Sequence, residues 1–121
     1  MDYKLINPDY LDSVAGDDPQ IIAELVTLFI DQAAEIHSEM KDLNSRKEYT
    51  SLGMMAHKAK SSVGIMGMSE LAGMLKTFEI SAKEGKTTEL YESYIEKFGE
   101  DTRLAIIELE DLVSNRLKKR L

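Results

Sequence analysis

From Pro19 onward, Ile22, Leu25, Phe29, Ala33, Ile36, Met40 and Leu43 follow one another at steps of three and four residues. That spacing gathers them on one stripe of a helix and leaves the opposite face polar. Three later segments carry the same pattern: Leu52, Met55, Ala59, Ser62, Val63 and Met66; then Leu71, Met74 or Leu75, Phe78 and Ala82; then Tyr91, Ile95, Phe98, Ala105, Leu109, Leu112 and Val113. Half-apolar helices in succession must bury their stripes against one another, and links of a few residues favour antiparallel neighbours. No stretch shows the strict alternation of a half-buried strand. The expected fold is all-α, an antiparallel up-down four-helix bundle, and residues 7–11 fit a short extra helix at the N-terminus.

Local signals place the helix ends. Asp17-Asp18-Pro19 supplies an acidic cap followed by proline at the first helical position, where a missing N–H costs nothing. The first long helix should end near Leu43, and Ser45-Arg46-Lys47-Glu48 reads as a capping box opening the second. Gly67 suits the left-handed position after a helix end, with Met68 folding back on the last turn. Ser69 is a candidate cap for the third helix, Gly85 closes it, and Thr87 or Thr88 caps a fourth that Gly99 is able to bend.

A chain of 121 residues suffices for one core, so residues 1–121 are read as a single domain, a free-standing one with no linker left over. There is no cysteine, which excludes disulfides, thiolate metal sites and thiol nucleophiles. The N-terminus lacks a basic stretch followed by an apolar run, and nothing approaches the roughly 20 apolar residues that span a bilayer. A cytoplasmic protein without membrane attachment is expected. A net charge of -7 opposes nucleic-acid binding, and the one dense basic cluster, Lys118-Lys119-Arg120, is read as opposing the dipole at a helix C-terminus.

One residue does not belong to the bundle core. On the second helix side chains are offset by roughly 100° per residue, and the apolar stripe lies within roughly 60° of the direction opposite His57. Burying the stripe turns His57 outward. Its neighbours on that face are Gly53, Lys60, Ser61 and Gly64, three of them small. A glycine inside a helix costs about 1 kcal/mol relative to alanine, so Gly53 and Gly64 ask for a reason. They either flatten the surface so that another protein's active site reaches the imidazole, or they admit close helix packing, and the first is preferred. Free imidazole titrates near 6.5, so near neutral pH a ring nitrogen offers a lone pair to an electrophile. Phosphoryl transfer relies on positioning and charge stabilisation. Lys60 is placed to neutralise phosphoryl oxygens, whereas Lys58 lies roughly 100° away around the helix. No carboxylate cluster or glycine-rich phosphate loop for a nucleotide or metal is present.

The segment Ala56-His57-Lys58-Ala59-Lys60-Ser61-Ser62-Val63-Gly64-Ile65-Met66-Gly67 resembles the signature of histidine-containing phosphotransfer (HPt) domains: a histidine, a lysine three on, a small pair after it, and glycine ten after the histidine. The likeness extends in outline from Leu11 to the fourth helix, through Asp17-Asp18, Leu28-Phe29 and Phe78-Glu79. It implies that His57 is the phosphorylated residue, Lys60 the phosphoryl-stabilising neighbour, and Glu79 the third-helix residue that orients the imidazole. The chain would then be no enzyme but a carrier, relaying phosphoryl groups between receiver domains of response regulators and hybrid histidine kinases in two-component signalling. It would need no cofactor, with Mg2+ expected only in the partner receiver domain, and would act as a monomer. Ala59 stands where a larger aliphatic residue is usual and Ser61 where glycine is usual. Neither removes a group that the chemistry needs.

Gly53, Met54, Lys58, Ser61, Gly64, Ile65 and Met68 form the candidate docking surface, with Met54, Ile65 and Met68 an apolar rim or, equally, core and loop packing. Other readings carry less. His37, beside the first stripe, reads as structural, and a metal site joining it to His57 would need the two to converge. An enzyme with histidine as general base lacks an accompanying nucleophile and orienting acid. A non-phosphorylated helical-bundle adaptor is the principal alternative.

Overall fold

The computed structural model describes residues 2–120, with side chains through Lys118. Asn7 caps the first helix, α1 (Pro8–Ala15), its Oδ1 accepting from the Tyr10 N–H at 3.2 Å. Asp18 caps the next, α2 (Pro19–Ser45), accepting from the Gln20 N–H at 2.9 Å with Pro19 at the first helical position. Then come α3 (Tyr49–Ile65), α4 (Ser69–Glu84), a single 3-10 turn at Thr88–Leu90, and α5 (Tyr91–Arg120). No strand occurs among the described residues, and no helix there is long and apolar enough to cross a membrane.

The stripes meet as their spacing requires. Ile22, Phe29, Ala33, Ile36 and Met40 from α2 share one core with Leu52, Ala59 and Val63 from α3, Leu71, Leu75, Phe78 and Ala82 from α4, and Tyr91, Ile95, Phe98 and Leu109 from α5. The most extensive packing is α3 on α4 and α2 on α5, completed by α2 on α3 and α4 on α5. α1 lies against α2 and α3 and buries Leu11 and Ala15.

Some helix starts differ from expectation. α2 runs on through Ser45, whose hydroxyl bonds back to the Asp42 carbonyl, so there is no capping box at 45–48. Glu48 is the N-cap of α3 without a side-chain cap, and its carboxylate pairs with Arg46. Ser69 is already inside α4, behind an uncapped Met68. The Thr87 hydroxyl donates to the Lys86 carbonyl and caps nothing. α5 passes through Gly99 without interruption, and the missing side chain there admits the His37 ring, which a Cβ would meet at 2.5 Å. Of the basic cluster ending α5, the side chains of Lys119 and Arg120 lie outside the described residues.

The turn after α3 is as anticipated and does more. Gly67 has φ 74°, and the Met68 N–H returns to the Val63 carbonyl at 3.1 Å, which satisfies the end of the helix and buries Met68. A Cβ on Gly67 would also stand 2.5 Å from that of Asn7, whose N–H donates to the Met66 carbonyl. The N-terminal segment therefore closes over this end of α3. It is tied to α5 by the Glu108 carboxylate, which accepts from the N–H groups of Lys4, Leu5 and Ile6 at 3.0 to 3.2 Å. The Tyr3 hydroxyl donates to Asp111, and Arg116 grips Asp12 with two bonds of 2.6 and 3.0 Å.

Candidate functional site

α3 has a neighbour on each flank, and this sorts the residues around His57. At roughly 100° per residue, Gly53, Ala56 and Lys60 lie to one side of His57, and Met54, Lys58, Ser61 and Ile65 to the other. α4 covers the first side: Ala56 and Gly53 are buried and Lys60 is half-buried. The second side is open, with Met54 63% exposed and Lys58, Ser61 and Ile65 also exposed.

Two of the anticipated surface residues are therefore inside. Gly53 is a packing residue: a Cβ on it would stand 2.7 Å from Lys83 Cγ and 3.2 Å from the Glu79 carbonyl oxygen. A single buried stripe leaves Gly53 and Ala56 outside it, whereas two packed neighbours widen the buried arc until it takes them in. Met68 is 2% exposed, because its return onto the last turn of α3 directs the side chain into the core. Gly64 differs from Gly53, since a Cβ there would meet nothing within 4 Å.

His57 itself stands clear, its side chain 57% exposed. Its Nδ1 lies 3.1 Å from each carboxylate oxygen of Glu79 on α4. Glu79 is only 12% exposed and also accepts from Lys60 Nζ at 3.2 Å and from Lys83 Nζ at 2.8 Å. The Lys83 hydrogen bond, aided by those from His57 and Lys60 and opposed by burial, holds the Glu79 carboxyl down at about 2. An ionised carboxylate only accepts, so the hydrogen between it and the ring belongs to Nδ1. The neutral ring then presents its lone pair at Nε2, the nitrogen turned away from Glu79. A fixed tautomer on an exposed ring, with cations at hand, suits nucleophilic capture of an anionic electrophile.

The Ser61 hydroxyl bonds back to the His57 carbonyl at 3.4 Å, and Ser62 donates to Gln32 of α2 at 2.9 Å. Lys83 was not anticipated, although its position four residues after Glu79 on one helix face was a readable signal. His37 is half-buried at the α2–α5 seam, beside a groove of about 660 Å³ that Lys41, Glu92 and Glu96 also line. Burial and then Lys41 lower its pKa, against a hydrogen bond with the Ile95 backbone. It belongs to a different seam from His57. No family model, curated protein or solved structure matches the chain.

Proposed function

We propose that this chain is a phosphorelay intermediate of the HPt type, an antiparallel up-down bundle of α2 to α5 that carries a phosphoryl group on Nε2 of His57. The observation that carries this reading is the His57–Glu79 contact: a buried, ionised carboxylate fixes one nitrogen of an exposed imidazole and leaves the other facing solvent. In the forward step the Nε2 lone pair attacks the phosphorus of a receiver-domain aspartyl phosphate. The N–P bond forms, the P–O bond to the aspartate breaks, and its electron pair leaves with the aspartate carboxylate. The reverse step delivers the group to a second receiver. Lys60 neutralises phosphoryl oxygens, and the receiver supplies the metal and catalytic groups.

The partner docks on the open side of α3. Met54, Lys58, Ser61, Gly64 and Ile65 supply this surface, joined by Leu28 of α2, which is 57% exposed one turn from Gln32. An apolar rim beside a reactive side chain suits a transient protein interface.

Mixing the protein with a phosphorylated receiver domain tests the reading. The expected product is a phosphoprotein that is labile in acid and stable in alkali, and His57→Gln abolishes it. If the label leaves no receiver domain of the source organism for this chain, the carrier reading fails and the adaptor reading takes its place.

A further inference from the structure

The transfer step as drawn gives Lys83 no task, yet its Nζ makes the shortest of the polar contacts to Glu79: 2.8 Å, against 3.1 Å for His57 and 3.2 Å for Lys60. The two lysines divide the carboxylate. Lys60 takes Oε1, Lys83 takes Oε2, and the ring nitrogen lies between them. The Lys83 stem reaches its place by lying over Gly53, where any side chain would press on Lys83 Cγ. The α3–α4 seam is thus shaped to admit this lysine.

A phosphoryl group arriving on Nε2 brings about two negative charges and draws Lys60, which stands half-buried one turn from His57 on the same helix. Lys60 then leaves Oε1. Lys83, on α4 one turn beyond Glu79 with its stem packed over Gly53, stays. We propose that Lys83 is a positioning residue that keeps Glu79 an ionised, weakly basic acceptor throughout the cycle, freeing Lys60 for the phosphoryl group. The inference rests on the carrier reading of His57.

The chemical consequence concerns release. Attack by Nε2 leaves a phosphorylated ring with its hydrogen still on Nδ1. When the N–P bond breaks, the electron pair returns to Nε2, and a ring that kept the Nδ1 hydrogen departs as neutral imidazole. A ring that had surrendered that hydrogen to Glu79 would depart as imidazolate, a far poorer leaving group. A carboxylate bonded to Lys83 is a weak base and does not take the hydrogen. Lys83 therefore favours passing the group onward over retaining it.

Lys83→Met keeps the stem and removes the charge. It is expected to shift the phosphoryl equilibrium with a receiver domain toward His57 by about three- to tenfold, the range a single hydrogen bond carries, chiefly by slowing release. In the unphosphorylated variant the Glu79 carboxyl, followed by carbon NMR, should titrate above its present position of about 2 and nearer the ordinary 4.5. Lys83→Arg should restore both properties, and Lys83→Gln provides a second uncharged variant. A purely structural lysine would lower the melting temperature of Lys83→Met while leaving the Glu79 titration and the phosphoryl partition unchanged, and that result overturns the proposal. The titration needs no partner, so absence of transfer in the unsubstituted protein would count against the carrier reading and an unmoved Glu79 against the role of Lys83.

Discussion

Two glycines on one helix, eleven positions apart, have opposite physical meanings. Gly53 sits where α3 and α4 nearly touch, and Gly64 faces open space. Gly53→Ala should destabilise the fold by about 1–3 kcal/mol, because overpacking against the α4 backbone outweighs the gain in helix propensity. Gly64→Ala should stabilise it by about 0.5–1 kcal/mol, and under the proposed docking it should slow transfer, since the methyl group would rise into the contact. Thermal unfolding with transfer kinetics separates the two effects, and unchanged transfer in a more stable Gly64→Ala would remove this glycine from the interface. Glu79 makes a prediction in pH. Its folded-state pKa, near 2, lies below the ordinary 4.5, so its contribution is complete above 4.5 and is lost as the pH falls toward 2. Discounted because its cationic partners stand partly in solvent, the contribution is about 1–2 kcal/mol. Acid unfolding of Glu79→Gln should lack this component over that range. The outward position of His57 was legible from angular bookkeeping on one helix, whereas its pairing with Glu79 was legible only through resemblance, since it depends on where α4 crosses α3.

At the scale of helices, the three-and-four spacing was enough to find all four long elements, because burial of a stripe dominates their stability. Their starts were harder to read. Ser45 and Ser69 had the composition of caps, yet neither following helix start carries a side-chain cap, with α2 carried through Ser45 and the turn at Gly67 leading straight into α4. Asp18-Pro19 was decisive because proline at the first turn admits few alternatives. The α2–α5 seam turns on His37 and Gly99, a pair no helical pattern discloses. A methyl group at 99 would collide with the imidazole, so Gly99→Ala should cost about 1–3 kcal/mol. The loss should largely disappear in a His37→Ala background, and additive losses in that double-mutant cycle would show that the pair does not interact as described.

For the molecule as a whole, the N-terminal segment was the least readable part, because its anchor, Glu108, lies a hundred residues along the chain. Three backbone N–H groups converge on that one carboxylate, and the Arg116–Asp12 pair fastens the helix that follows. Glu108→Ala should cost about 1–2 kcal/mol and release the amides of residues 4–6 to hydrogen exchange. Because the Asn7 N–H is held by the Met66 carbonyl at the end of α3, that release should extend to the Asn7 amide while the centre of α3 stays protected. The frame thus holds His57 on a helix packed by α2 and α4 and leaves one side of it open. A phosphoryl carrier of this geometry uses one ring nitrogen of His57 and keeps a hydrogen on the other. Nitrogen–phosphorus couplings, measured by NMR on imidazole-labelled protein after transfer from a phosphorylated receiver domain, decide which. The expected result is phosphorus on Nε2 of His57 with hydrogen retained on Nδ1. Phosphorus on Nδ1, or on any other residue, would overturn the assignment of Nε2 as the nucleophile.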